Sequence, residues 1–193
     1  MNLSTHRQIS RKIYKEIEKK LNITLDKKHF IYGNIKPDLD MNLFTRSHRI
    51  KDSLDFVVDR INNIMYKDYT SLKKFSVDIG IITHFLSDFF CTVHYHENTK
   101  GYSSLIHHLK YEIALQMKIR KILKNIPLDF SWNYVYKINK DNIYQVIYEL
   151  SQAYGKVRPS MENDIFYALK VSMLLSVYII NNSVFFINKK AAA

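Results

Sequence analysis

The residues best suited to chemistry form two pairs in which a histidine precedes a carboxylate by four positions, His84 with Asp88 and His108 with Glu112. Residues four apart lie on one face of an α-helix, so both members of a pair can reach the same cation. Isoleucine, leucine and phenylalanine surround the first pair. Because a buried carboxylate without a partner is costly, a metal ion would remove that cost at Asp88.

Four further candidate ligands are His6, Asp38, His48 and His94, which lie near predicted helix ends or in loops, where side chains from different elements can converge. Each has an ordinary alternative. His6 could cap a helix, Asp38 could be a turn residue after Pro37, and His48 could be solvated. An exposed histidine–carboxylate pair at helical spacing is worth only a few tenths of a kcal/mol. No single residue therefore decides the chemistry.

The elements that must position these residues are predicted to be helices, because 47% of the residues are hydrophobic and only four Gly and three Pro interrupt the chain. Apolar residues recur with helical spacing over 9–21 (with Ser4 or Thr5 as the cap), 50–64, 72–90, 105–117, 143–150 and 165–186. Polar loops are predicted around Gly33 and Pro37 and from His94 to Gly101. We expect one compact all-α, multi-helix domain over residues 1–190, with a metal cluster in a cleft between helices. The alanines at 191–193 are treated as a tail.

Charge and composition narrow the class of protein. The net charge of +11 suits an anionic partner such as phosphate, nucleic acid or a lipid surface. The single cysteine, Cys91, excludes an internal disulfide, and the first twenty residues do not resemble a signal peptide, so a cytoplasmic location is expected. The apolar segment from Ala168 to Ile187 is interrupted by polar residues, which favours a buried core helix and argues against stable membrane insertion.

The ordered set of candidate ligands resembles the zinc-dependent phospholipase C family, which shares its fold with the single-strand-specific nucleases of the S1/P1 type. The run His84-x3-Asp88-x5-His94-x13-His108-x3-Glu112 matches in order and in spacing. The Thr5-His6 start, the Pro37-Asp38 pair and His48 match in order. The resemblance extends from Thr5 to Glu112 and implies an all-α fold with three clustered metals.

The resemblance also implies which residues hold each of two or three zinc ions. The first zinc would have Asp38, His48, His84 and Asp88, the second His94, His108 and Glu112, and the third His6 and Asp88, with Asp88 as a bridge. Imidazole nitrogens and carboxylate oxygens are ligands that zinc accepts, although manganese or iron would accept them too.

The N-terminus departs from the family pattern. The family's third metal is also bound by the amine and carbonyl of a mature N-terminal Trp, whereas this sequence begins with Met1. Because Met1 lies five residues before His6, its α-amine could reach the same metal. The other interpretation is a weak or missing third site, and both remain open.

The function we expect is that of a phospholipase C-like hydrolase, which uses clustered zinc ions to activate water against a phosphodiester, either a phospholipid or a nucleotide or nucleic acid. Asp38 is the candidate general base, because its oxygens could be shared between metal and water. There is no Ser/His/Asp arrangement and no Gly-rich phosphate loop. The alternatives are an S1/P1-like nuclease and a non-catalytic domain that zinc stabilises. Protein partners are not indicated by any motif.

Overall fold

The computed structural model describes residues 1–21, 25–95, 102–128 and 132–191, and within these ranges the chain is helical and has no strand. The all-α prediction is therefore confirmed. The α-helices are α1 (Leu3–Leu21), α2 (Lys27–Ile35), α3 (Met41–Phe44), α4 (Ile50–Tyr66), α5 (Leu72–Phe89), α6 (Thr92–Tyr95), α7 (Tyr102–Asn125), α8 (Ile143–Lys156), α9 (Met161–Asn182) and α10 (Val184–Ala191). Two 3-10 helices, η1 (Lys36–Asp38) and η2 (Trp132–Lys137), join them.

Two buried helices, α5 and α9, form the centre of the fold. α5 packs against α2, α4 and α9, while α9 also contacts α1, α7 and α8. In the described part of the chain, α9 alone is long and apolar enough to cross a membrane, and 78% of its apolar window is buried within the protein. That burial agrees with the predicted core helix, but the predicted segment is split, because Ser183 is extended and separates α9 from α10.

The first helix begins earlier than predicted. α1 starts at Leu3, and the side-chain oxygen of Asn2 accepts a hydrogen bond from the backbone N–H of Thr5 at 3.0 Å. Asparagine is among the best capping residues, so Asn2 fills this role. The prediction that Ser4 or Thr5 caps the helix is wrong.

The predicted loop around Gly33 is also wrong, because residues Lys27–Ile35 form α2. This helix lies against α5 with almost no space between the two backbones. A Cβ atom on Gly33 would lie 2.2 Å from the backbone oxygen of Val77, and one on Gly80 would lie 2.4 Å from that of Phe30. Only glycine permits so close an approach at both positions, and the contact places the end of α2 beside the functional residues of α5.

The helix predicted from apolar spacing over 105–117 is present as α7, but the residues at that spacing do not form its buried face. Leu115, Ile119 and Ile122 are buried, whereas the predicted apolar stripe is largely exposed. The exposed fractions are 54% for Leu105, 49% for Leu109, 57% for Ile113 and 81% for Met117. α7 therefore has two apolar faces, and the core covers only one of them.

Candidate metal centre

α5 supplies the most deeply buried polar pair of the site. His84 and Asp88 are both 0% exposed and lie one helical turn apart. His84 Nδ1 donates a hydrogen bond to the backbone oxygen of Asn34 at 2.8 Å, so the lone pair of its Nε2 faces the site, 3.4 Å from Asp88 Oδ2. Burial, reinforced by the nearby His6, holds the pKa of His84 well below its usual value, so its imidazole is neutral and able to bind a metal.

A first group of ligand atoms forms where η1 and the start of α4 approach α5. Asp38, the last residue of η1, places Oδ1 3.7 Å from His84 Nε2. His48, just before α4, places Nδ1 2.8 Å from Asp88 Oδ2 and 3.4 Å from His84 Nε2. One ligand atom from each of Asp38, His48 and His84 lies within 4.8 Å of the others. The structure thus brings together the four residues predicted for the first zinc.

A second group joins α6 to α7. His108 Nε2 lies 3.1 Å from Glu112 Oε1, and His94 Nε2 lies 3.7 Å from the same oxygen. Burial and the Met1 ammonium lower the pKa of His94 to about 4. Burial would raise the pKa of Glu112, but the hydrogen bond from His108, the nearby His94 and the Met1 ammonium together outweigh it and hold that pKa far below its usual value. His94 and Glu112 are therefore deprotonated at neutral pH, the form that binds a metal.

Asp88 divides its two oxygens between the groups. Oδ2 faces His48 and His84, whereas Oδ1 lies 3.3 Å from His6 Nε2 and 3.6 Å from His94 Nε2. His6 stacks on His84 with ring centroids 3.9 Å apart, and His6, His84 and Asp88 make a third group of ligand atoms within 4.8 Å. This arrangement is the geometry that the predicted bridging role of Asp88 requires.

The Met1 nitrogen lies where the second and third groups meet. It contacts Asp88 Oδ1 and lies 2.8 Å from His94 Nε2 and 3.1 Å from Glu112 Oε1. Burial disfavours the charged amine, but the acidic groups around it, Asp88 foremost, together outweigh burial and raise the Met1 pKa to about 11. Of the two interpretations that the sequence left open, this geometry favours an α-amine within reach of the third group.

Several buried atoms of the site have no hydrogen-bond partner among the described residues, namely both ring nitrogens of His6 and Oδ2 of Asp38. Leaving a buried polar group unpaired costs about 1–3 kcal/mol. A bound cation would give these atoms partners, and zinc takes this mixture of imidazole nitrogen and carboxylate oxygen. The donor set therefore fits a zinc cluster.

A comparison with known families decides the relationship. The family model described as zinc dependent phospholipase C matches residues 5–160, which include all eight candidate ligands. This chain belongs to the zinc-dependent phospholipase C family. The resemblance is confirmed, and with it the interpretation of the chain as a metal-dependent phosphodiester hydrolase of a zinc-dependent family. No curated protein and no solved structure matches the chain.

Part of the candidate ligand set of this phospholipase C family member lines a cleft of about 630 Å³. Met1, Asp38, His48, His94 and Glu112 lie on its surface. The remaining wall residues were not predicted from the sequence and are Asn2, Leu3, Ser4, Phe44, Ser47, Arg49 and Gln116. Arg49 directly follows the candidate ligand His48, and this place in the sequence could have indicated a positively charged side chain at the cleft.

A buried carboxyl group behind the ligands was also missed. Asp164 of α9 is 0% exposed and accepts four hydrogen bonds. Its donors are the N–H and hydroxyl of Thr92 at 2.9 Å each, the Tyr111 hydroxyl at 2.6 Å and the Tyr154 hydroxyl at 2.7 Å. Thr92 begins α6, which carries His94, and Tyr111 directly precedes Glu112. Asp164 thus links the two helices that present the second ligand group.

Proposed function

We propose that this chain is a phospholipase C-type enzyme that cleaves the bond between the glycerol oxygen and the phosphorus of a phospholipid. The observation that carries the proposal is the convergence of three ligand groups on Asp88, directly behind a cleft that members of the first and second groups line. Clustered cations at this place would lie directly against a phosphodiester that enters the cleft.

The ligand sets we propose are Asp38, His48, His84 and Asp88 for a first zinc, His94, His108 and Glu112 for a second, and His6 and Asp88 for a third. Where Met1 carries a free α-amine, that amine would complete the third set after losing its proton. When bound, zinc polarises phosphoryl oxygens and lowers the pKa of bound water toward neutrality.

Asp38 is the residue we propose as general base. It lines the cleft, and its Oδ2 has no hydrogen-bond partner in the described part of the chain, so this oxygen can accept a proton from the attacking water. As the new oxygen–phosphorus bond forms, the glycerol oxygen leaves and takes up a proton from solvent. Arg49 on the cleft wall supplies a positive charge for the phosphate oxygens.

The choice of phospholipid over nucleic acid rests on the apolar residues at the cleft. Leu3 and Phe44 line it and are 40% and 60% exposed. Such exposed apolar side chains suit the acyl-bearing part of a lipid. An S1/P1-like nuclease activity is the competing outcome, because the net charge of +11 would also attract a nucleic-acid backbone.

Metal content tests the ligand assignment first. Elemental mass spectrometry of untagged protein purified without chelator should find two or three zinc equivalents. His108→Ala should lose about one equivalent, since His108 belongs to the second group. His107→Ala is the matched control, because this neighbouring histidine is exposed and outside the ligand groups, and it should retain the wild-type content. A wild-type chain that takes up no zinc would overturn the assignment.

The substrate is tested with phosphatidylcholine, a soluble bis-aryl phosphodiester and single-stranded DNA. Release of phosphocholine and diacylglycerol supports the proposal, whereas degradation of DNA without lipid cleavage identifies a nuclease. Asp38→Asn should lower kcat by a factor of about 100 to 10,000, the typical contribution of a general base. Asp40→Asn is the matched control, because Asp40 caps α3 and asparagine caps equally well. Equal activity of the two variants would contradict the role of Asp38.

A further inference from the structure

The outer face of α7 carries an apolar stripe that the rest of the protein leaves exposed. Leu105, Leu109, Ile113 and Met117 recur every four residues and so lie along one side of a helix about 36 Å long. Scattered exposed apolar residues are ordinary, but a continuous stripe marks an interaction surface.

The exposed charges that α7 itself carries have one sign, and the exposed Glu162 of α9 lies near two of them, Lys118 and Lys121. The charged residues that α7 exposes are Lys110, Lys118, Arg120, Lys121 and Lys124. The single acidic residue of α7 is Glu112, which is only 14% exposed and belongs to the second ligand group. An apolar stripe bordered by lysine and arginine is the pattern of a helix that lies in the plane of an anionic lipid surface.

The stripe is adjacent to the cleft. Leu109, Ile113 and Met117 each directly follow a residue of the ligand group or the cleft wall, namely His108, Glu112 and Gln116. Consecutive residues differ by about 100° around a helix, so the stripe lies roughly a quarter turn from the cleft. The cleft wall also exposes two apolar side chains, those of Leu3 and Phe44.

We propose that the outer face of α7 docks on the surface of an anionic phospholipid bilayer, with its four apolar side chains among the lipid headgroups. A second copy of the chain fits this face poorly, because two such faces would bring like charges together. Nucleic acid also fits poorly, since leucine, isoleucine and methionine offer no ring for base stacking. The delivery of lipid to the cleft rests on the proposed function, whereas the docking does not.

The test is cosedimentation of the full zinc-loaded chain with vesicles of phosphatidylcholine alone or with about 30% phosphatidylserine. We expect binding to the anionic vesicles that weakens as salt increases. The double variant Ile113→Ser/Met117→Ser should lower the fraction bound about tenfold, because two apolar side chains no longer enter the lipid. Ile187→Ser on α10 is the matched control, because it also replaces an exposed isoleucine (51% exposed) but lies outside the α7 stripe. This variant should bind the anionic vesicles as the wild type does.

Hydrolysis of a soluble phosphodiester separates docking from catalysis. The double variant should keep wild-type activity on the soluble substrate and lose activity on vesicles. Vesicle binding without hydrolysis of any phosphodiester would retain the docking and contradict the proposed function. The docking itself is overturned if the wild-type chain does not sediment with anionic vesicles at low salt, or if the double variant sediments equally. Loss of a dimer or of DNA binding in the double variant, with vesicle binding unchanged, would assign the face to that other partner.

Discussion

Asp164 offers a sharp test of how the second ligand group is held. The change Asp164→Asn keeps the shape of the side chain but converts one oxygen into an amide NH2. Oδ2 accepts from the Thr92 N–H and the Tyr111 hydroxyl, and Oδ1 accepts from the Thr92 and Tyr154 hydroxyls. An asparagine oxygen in the Oδ2 place keeps two of these bonds, whereas its NH2 faces two hydroxyls that must rotate to accept.

The magnitude follows from these four bonds. A hydrogen bond to a charged acceptor contributes about 1.5–3 kcal/mol, against about 1 kcal/mol for a neutral one. Weakening two bonds and reversing two others should lower the free energy of unfolding by about 3 kcal/mol. For a chain of this length the corresponding fall in Tm is roughly 6–12 °C. Tyr154→Phe removes one donor and should cost about 1.5 kcal/mol.

The assay is urea denaturation of the zinc-loaded chain together with its metal content. Because Thr92 begins the helix of His94 and Tyr111 precedes Glu112, Asp164→Asn should also lower the zinc content by up to one equivalent. Tyr154→Phe should retain zinc, since Tyr154 lies on α8 and carries no ligand. A variant Asp164→Asn within about 0.5 kcal/mol of the wild type and with full zinc would refute this account.

Three further predictions concern the backbone contact, the metal and the N-terminus. Gly80→Ala should destabilise the chain by about 1–3 kcal/mol and weaken zinc binding, because its Cβ would meet the Phe30 backbone oxygen. Gly155→Ala is the control and should cost less in the same urea titration, because its Cβ meets the Tyr95 side chain. Equal losses of stability in the two variants would contradict the backbone contact as the cause. Removing zinc with a chelator should lower Tm, and added zinc should restore it, because the ion binds only the folded ligand set; a Tm that is indifferent to zinc would contradict a structural contribution. A Gly-Ser extension before Met1 should remove the charged amine from Asp88 and lower the zinc content by up to one equivalent. Elemental mass spectrometry measures this loss, and an unchanged zinc content would show that the amine is not a ligand.

The candidate ligands could be singled out from the sequence because zinc accepts few residue types, a helix fixes the spacing of two pairs, and the order of the whole set resembles the zinc-dependent phospholipase C family. His84 with Asp88, and His108 with Glu112, each lie one turn apart on a helix, as their spacing requires. The residues behind the ligands could not be predicted in this way. His84 is oriented by a backbone oxygen, that of Asn34, and any residue type supplies such an oxygen. Asp164 acts across three helices, and no local spacing relates it to Thr92 or Tyr111.

Two helices, α2 and α7, show what apolar spacing in a sequence does not report. α2 contacts α5 through backbone atoms at Gly33 and Gly80. A contact made by backbone needs no stripe of apolar side chains, so the sequence of α2 shows no helical apolar spacing and was predicted as a loop. In α7 the periodicity was strong, but it belonged to the exposed stripe. Helical apolar spacing predicts a helix face that is shielded from water. It does not indicate whether the protein core or an external surface such as a lipid bilayer covers that face. A stripe that the core leaves uncovered beside a phosphodiester-hydrolysing cleft is the feature expected if the substrate itself lies in a lipid surface.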